Sequence, residues 1–169
     1  MRYTPALGAF LLATSAHGSA PFVESDTAKW LPGFQCRGGK YGLRLPSSYV
    51  GLTKLAQLQQ ERLEMIEQDA GYTVTRKDLH FPGLVIGVAV PSSSPNRYLV
   101  SGAAISQMRW KSLAPFRPGQ TVQQVQKLLG KSAADDSGLK ASYGSETSDV
   151  SFKVSEGRVV EVIYQCYTG

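Results

Sequence analysis

The chain has 169 residues, 42% of them apolar and 18% charged, an ordinary globular composition that excludes disorder for its bulk. Eighteen Lys and Arg against 13 Asp and Glu give a formal charge of +5. The basic residues are scattered and form no run, so the balance points to neither a nucleic-acid nor a membrane surface.

Residues 1–20 read as an export signal. Arg2 opens the segment, "ALGAFLLA" (6–13) is apolar but too short to span a bilayer, and "TSAHGSA" (14–20) offers small residues for cleavage. A cut after Ala20 leaves Pro21 first, so Ala16 and Gly18 are competing sites. A buried N-terminal helix is the structural alternative. Arg2 is the one charged side chain in the segment, and its removal takes the formal charge from +5 to +4. No cysteine follows the small residues, so no lipid anchor is expected and the predicted location is periplasmic or secreted. In such a compartment Cys36 and Cys166, the two cysteines of the chain, are expected to form a disulfide. Closing a loop of about 130 residues is worth up to ~4–5 kcal/mol in the chain-entropy model. The alternative, a reactive thiol, needs a base, and beyond the signal the one histidine is His80.

"KWLPGFQCRGGKYGLRLP" (29–46) reads as turns around Cys36 with one short strand near 34–37. Its "RGGKYG" lacks P-loop spacing and reads as a plain turn. Over 48–70, Leu52, Leu55, Leu58, Leu63 and Ile66 recur near helical spacing, with Gln59, Gln60, Glu61, Glu64 and Glu67 between them and Gly71 after them. This predicts a long helix whose acidic side is solvated. Three strands are then predicted, at 72–81, 83–90 and 97–106, with the loop "PSSSPN" (91–96) before the last.

"MRWKSLAPFRPG" (108–119) reads as a linker. Thr121 is a predicted N-cap with Gln124 completing a capping box, and Val122, Val125, Leu128 and Leu129 make an apolar stripe ending at Gly130. Leu128 is expected to face Phe152. Strands are predicted at 139–143, 148–154 and 158–167, the last two joined by a tight turn at Glu156 and Gly157. The predicted fold class is α+β: two helix-plus-three-strand units, 21–110 and 111–169, forming an antiparallel sheet of about six strands with helices on one face. The halves share no residue-level repeat and could form one joint domain. The opposite face of such a sheet is left open as a binding surface.

The order "PGQTVQQVQKLLG" (118–130), a strand ending at Tyr143, and "VSFKVSEGRVVEV" (150–162) resembles the helix-and-meander unit of the BamE/SmpA-type barrel-assembly lipoproteins. It is also similar to the repeated module of the β-lactamase inhibitor protein. The resemblance covers about fifty residues, 118–166, and implies a non-enzymatic protein-binding module. The chain differs from the lipoproteins in lacking a lipidated cysteine and in carrying a further N-terminal half.

Enzyme signatures are sparse. Ser137-x-x-Lys140 lies at a turn and has no partner motif, so chance explains it. Asp135 and Asp136 lack the alternating oxygen ligands and closing Glu of a Ca²⁺ loop and read as solvated. A lone His80 more often marks a half-buried ring than a metal ligand or base. No cofactor and no metal is predicted. The expected function is an exported, non-enzymatic inhibitor or immunity protein whose partner is a secreted hydrolase or a toxin. The alternatives are a cell-envelope assembly factor and an envelope enzyme with a site around His80 and Ser137. Candidate partner-binding residues are the loop aromatics and arginines Trp110, Phe116, Arg117, Arg97 and Tyr98, since such side chains are favoured binding anchors. The competing reading is that they seal the joint between the halves.

Overall fold

In the computed structural model, which describes residues 29–69, 71–130, 139 and 142–166, eight strands form one mixed sheet. They are β1 (Lys29–Trp30), β2 (Gln60–Asp69), β3 (Tyr72–Phe81), β4 (Leu84–Pro91), β5 (Leu99–Ile105), β6 (Ser142–Gly144), β7 (Ser148–Ser155) and β8 (Arg158–Cys166). Two short α-helices, α1 (Tyr49–Thr53) and α2 (Val122–Leu129), and a 3₁₀ turn at Met108–Trp110 complete the described elements. The export signal, Asp135, Asp136, Ser137 and Lys140 lie outside the described residues.

The strand order is β1-β6-β7-β8-β5-β4-β3-β2. Two antiparallel meanders, β2 to β5 and β6 to β8, are joined by β5 against β8, where Ile105 pairs with Val162 and Ala103 with Tyr164. The sheet is therefore continuous across the predicted linker. β1 extends it by a short parallel pairing with β6.

The predicted pair of helix-plus-three-strand units with helices on a face does not form, and the error lies in 48–70. Ser48 caps α1, its Oγ accepting the Gly51 N–H at 3.1 Å, but the helix ends after five residues. Leu55, Ala56 and Leu58 then pack on the core from an irregular connection, and from Gln60 the chain is strand. Glu, Gln and Arg favour a helix in isolation, yet β3 offers this segment a partner along its whole length and tertiary pairing overrides propensity. Lys77 bridges to Glu61 at 2.5 Å and Arg76 to Glu67 at 2.9 Å, so the expected wet face of a helix is a set of cross-strand ion pairs. Gly71, at φ 86°, turns the hairpin where few side chains fit.

The second half follows its sequence signals more closely. Thr121 Oγ1 accepts the Gln124 N–H at 3.2 Å, and Gln124 Oε1 accepts the Thr121 N–H at 2.9 Å, completing the capping box. The helix buries Val125 and Leu129, one turn apart. Leu128 is 36% exposed and does not fill the core as expected. Phe152 instead meets Phe116 edge-on at 5.1 Å and Tyr143 at 6.3 Å. Glu156 and Gly157 both have positive φ, 50° and 72°, the backbone a two-residue hairpin turn between twisted strands requires.

One face of the sheet carries the core. Leu79, Ile86, Val88, Ile105, Val150, Val162, Tyr143 and Tyr164 are buried there together with Leu31, Leu43, Leu52, Phe116, Val125 and Leu129 from the connections and helices. Phe116 stacks on Tyr41 with centroids 6.1 Å apart. The Tyr164 hydroxyl donates to the Tyr41 carbonyl at 3.0 Å, satisfying a polar group that burial pushes far above its ordinary pKa. Cys36 and Cys166 are bonded, with Cα atoms 5.7 Å apart, and tie the segment around Cys36 to the end of β8.

Candidate functional site

The five candidate partner-binding residues do not converge. Trp110 is buried, its Nε1 donating to the Pro82 carbonyl at 2.9 Å and its ring edge-on to Phe81. Phe116 is wholly buried. Arg117 is half-buried, and its backbone N–H donates to Gln120 Oε1 at 2.8 Å. Tyr98 is buried under the Arg37 guanidinium, 4.9 Å from the ring centroid, and its hydroxyl donates to the Pro46 carbonyl. Arg97 is exposed and, with Arg37, Ser47 and Tyr98, lines a cleft of about 380 Å³. Pro82 precedes β4 and Arg97 follows it, so Trp110 and Arg97 are separated by roughly 25 Å, the length of an eight-residue strand. His80 lies on β3 with its Nε2 buried and without a hydrogen-bond partner; Ser137, its expected companion, is outside the described residues.

The residues that do converge lie on the face opposite the core. Strand register places Arg62, Asp78, Gly87, Gly102, Gln165, Asp149 and Gly144 side by side, one on each of seven adjacent strands from β2 to β6. Gly87 and Gly102 pair with each other at mid-sheet. With no side chains there, the sheet sinks into a depression of about 300 Å³ lined by strand residues, including Asp78, Val85, Ser101, Ala104, Ile163 and Gln165. Both glycines sit where close packing leaves little room for a side chain. A Cβ on Gly87 would lie 2.6 Å from Ser101 Oγ and 3.3 Å from Asp78 Oδ1, and one on Gly102 would lie 2.9 Å from the Tyr164 carbonyl oxygen. Ser101 reaches this position because a bulge between the Gly87 and Val88 pairings inserts it into β5.

The charge on this face is uneven. Arg62 pairs with Glu64, Arg76 with Glu67, and Lys153 with Glu161, at 2.9, 2.9 and 2.5 Å. Among the described residues, Asp78 and Asp149 have no such partner. Burial, and then the neighbouring Glu64, push the Asp78 carboxyl above its ordinary pKa, with His80 and Arg62 pulling it part of the way back. Burial also raises Asp149. Half-buried carboxylates outside any ion pair favour whatever cation can approach them. Four strand spacings separate the two, roughly 19 Å, too far for one small ligand to touch both.

This row was not among the sequence candidates, yet it had a local signal. Glycine inside an apolar strand pattern marks a bulge or a close approach, and Gly87 and Gly102 each sit in such a run. Among the described residues no His, Cys, Asp and Glu cluster could hold a metal ion, and no helix is long and apolar enough to cross a membrane. Comparison of the chain with protein-family models, characterised proteins and solved structures finds no match.

Proposed function

We propose that the chain is an exported, non-enzymatic protein-binding protein, an inhibitor or immunity protein that holds a secreted hydrolase or toxin against the face of its sheet opposite the core. The observation that carries this reading is the row of Asp78, the paired glycines and Asp149. Its stretch from Asp78 to Gln165 lines a depression, and Asp78 and Asp149 are half-buried carboxylates outside any ion pair among the described residues, on a chain whose formal charge is +5. Its length suits a protein surface, and its sign selects one that presents Lys or Arg. The Cys36–Cys166 bond supports residence in an oxidising compartment.

The test is capture from envelope and culture-supernatant fractions with wild type and with an Asp78→Asn/Asp149→Asn variant, followed by assay of the captured protein's activity. The expected partner binds wild type, loses at least about tenfold in affinity to the variant, binds less well as salt rises, and is silenced stoichiometrically. A captured partner that binds the variant equally well removes the row as the site. One that remains fully active when bound removes the inhibitor reading.

A further inference from the structure

Among the described residues β2 is the outermost strand of the sheet and pairs on one side only, with β3. It is ten residues long. Leu63, Met65 and Ile66 on β2 are 56, 53 and 57% exposed. A long edge strand that exposes apolar side chains and a row of backbone donors and acceptors is a template for another strand. We propose that this edge pairs with β2 of a second copy, antiparallel about a two-fold axis between Glu64 and Met65, merging two eight-stranded sheets into one.

The bulge in β2 selects the register. Between Leu63 and Met65 the pairing with β3 shifts by one residue, leaving Glu64 as the extra residue. Arg62 therefore lies opposite Asp78, and Glu67 opposite Val74, on the face away from the core; Leu63 lies opposite Lys77, and Ile66 opposite Thr75, on the core side. An antiparallel two-fold pairing sets each residue against one on the same face. In an unbulged strand, residues five or three apart fall on different faces, so Arg62 could not oppose Glu67, nor Leu63 oppose Ile66. With the bulge both pairings are allowed.

In that register Arg62 meets Glu67 of the second copy twice by symmetry, and each Leu63 meets an Ile66. Glu61 lies opposite Gln68 and Glu64 opposite Met65, so none of these pairs sets like charges against each other. The existing bridges, Arg62 to Glu64 and Glu67 to Arg76, extend across the junction as a chain of alternating sign. Registers that set Glu64 against Glu64 place like charges together and put Leu63 opposite Met65 on the wrong face. The pattern of charge and apolar side chains thus fits this self-pairing, which sets Arg62 against Glu67 and Leu63 against Ile66, and the partner is a second copy of this chain.

The experiment is analytical ultracentrifugation of the full oxidised chain and of charge variants. Wild type sediments as a concentration-dependent dimer. Arg62→Glu places Glu against Glu67 at both contacts, and Glu67→Arg places Arg against Arg62, so each variant alone is expected to weaken the dimer by about tenfold or more. An equimolar mixture of the two variants restores opposite charges at both contacts and forms a heterodimer. That rescue cannot come from repairing bridges within one copy, because each copy still lacks its own. A wild type that stays monomeric across the concentration range overturns the proposal, as does a dimer insensitive to both changes or a mixture that shows no rescue. The result is independent of the docking row, since no other protein is present.

Discussion

Two rows of residues, one position apart in each strand from β3 to β6, give the two faces of this sheet opposite characters. On the core side Leu79, Ile86, Ala103, Tyr164, Val150 and Tyr143 lie in register and none is more than 6% exposed. On the other side the adjacent row is Asp78, Gly87, Gly102, Gln165, Asp149 and Gly144. Alternation of side chains makes this division unavoidable: a backbone that commits large apolar residues to one face must present their neighbours on the other. Stability therefore resides in the first row and the surface available for recognition in the second. The glycines belong to both. They empty the outer face, yet the backbone of Gly102 lies against the strand that carries Tyr164.

The comparison breaks most visibly at Phe116, which closes the core side by stacking on Tyr41 and meeting Phe152 edge-on. Phe116→Ala is expected to cost about 3–5 kcal/mol in urea unfolding, while Gln165→Ala on the outer row should stay within about 0.5 kcal/mol. Equal losses would mean that the two faces are not divided as described. The disulfide comes next, because Cys166 follows Tyr164 on β8 and anchors the segment around Cys36 that helps cover the core. Replacing both cysteines by Ser should cost about 2–4 kcal/mol, and peptide mapping without reductant should recover the linked pair. Two free thiols in freshly purified, unreduced protein would count against both the bond and the proposed location.

Smaller effects sharpen the comparison. Leu129→Ala should cost about 3 kcal/mol and Leu128→Ala under about 0.5 kcal/mol, since only the first is buried beneath α2. Gly102→Ala should cost about 1–2 kcal/mol, because its Cβ would press on the Tyr164 carbonyl, which β8 holds in place. A neutral Gly102→Ala would show that the depression is not set by backbone packing.

Elements whose stabilising contacts are local were legible in the sequence. The capping box at Thr121 and Gln124, the turn at Glu156 and Gly157, and the alternation through β7 are each complete within a few residues. β2 was not legible, because its ion pairs and backbone bonds belong to β3, and alone it has the composition of a solvated helix. The burial of the loop aromatics was not legible for a related reason. Trp110, Phe116 and Tyr98 lie outside the α-helices and strands, but whether such a side chain is exposed depends on which part of the sheet passes beneath it. The outer row was half legible. Its glycines stand out one strand at a time, whereas their alignment with Asp78, Gln165 and Asp149 exists only after five strands have paired.

The smallest expected stability effect separates recognition from architecture. Asp78 is half-buried and its carboxyl is raised above the ordinary 3.8, first by burial and then by Glu64. The folded chain thus binds this proton more tightly than the unfolded chain. Ionising Asp78 costs the fold a little as pH rises from below 3.8 through the folded value, and the cost is fully present at neutral pH. Asp78→Asn removes it, so the variant should be more stable than wild type at pH 7, by less than about 1 kcal/mol because solvent screens a partly exposed group. The difference should shrink toward zero as pH falls below the unfolded value. Urea midpoints measured across that range test the sign. A variant less stable than wild type at neutral pH would show that the carboxylate supports the fold, whereas a more stable variant that has lost its partner would show that Asp78 acts in recognition.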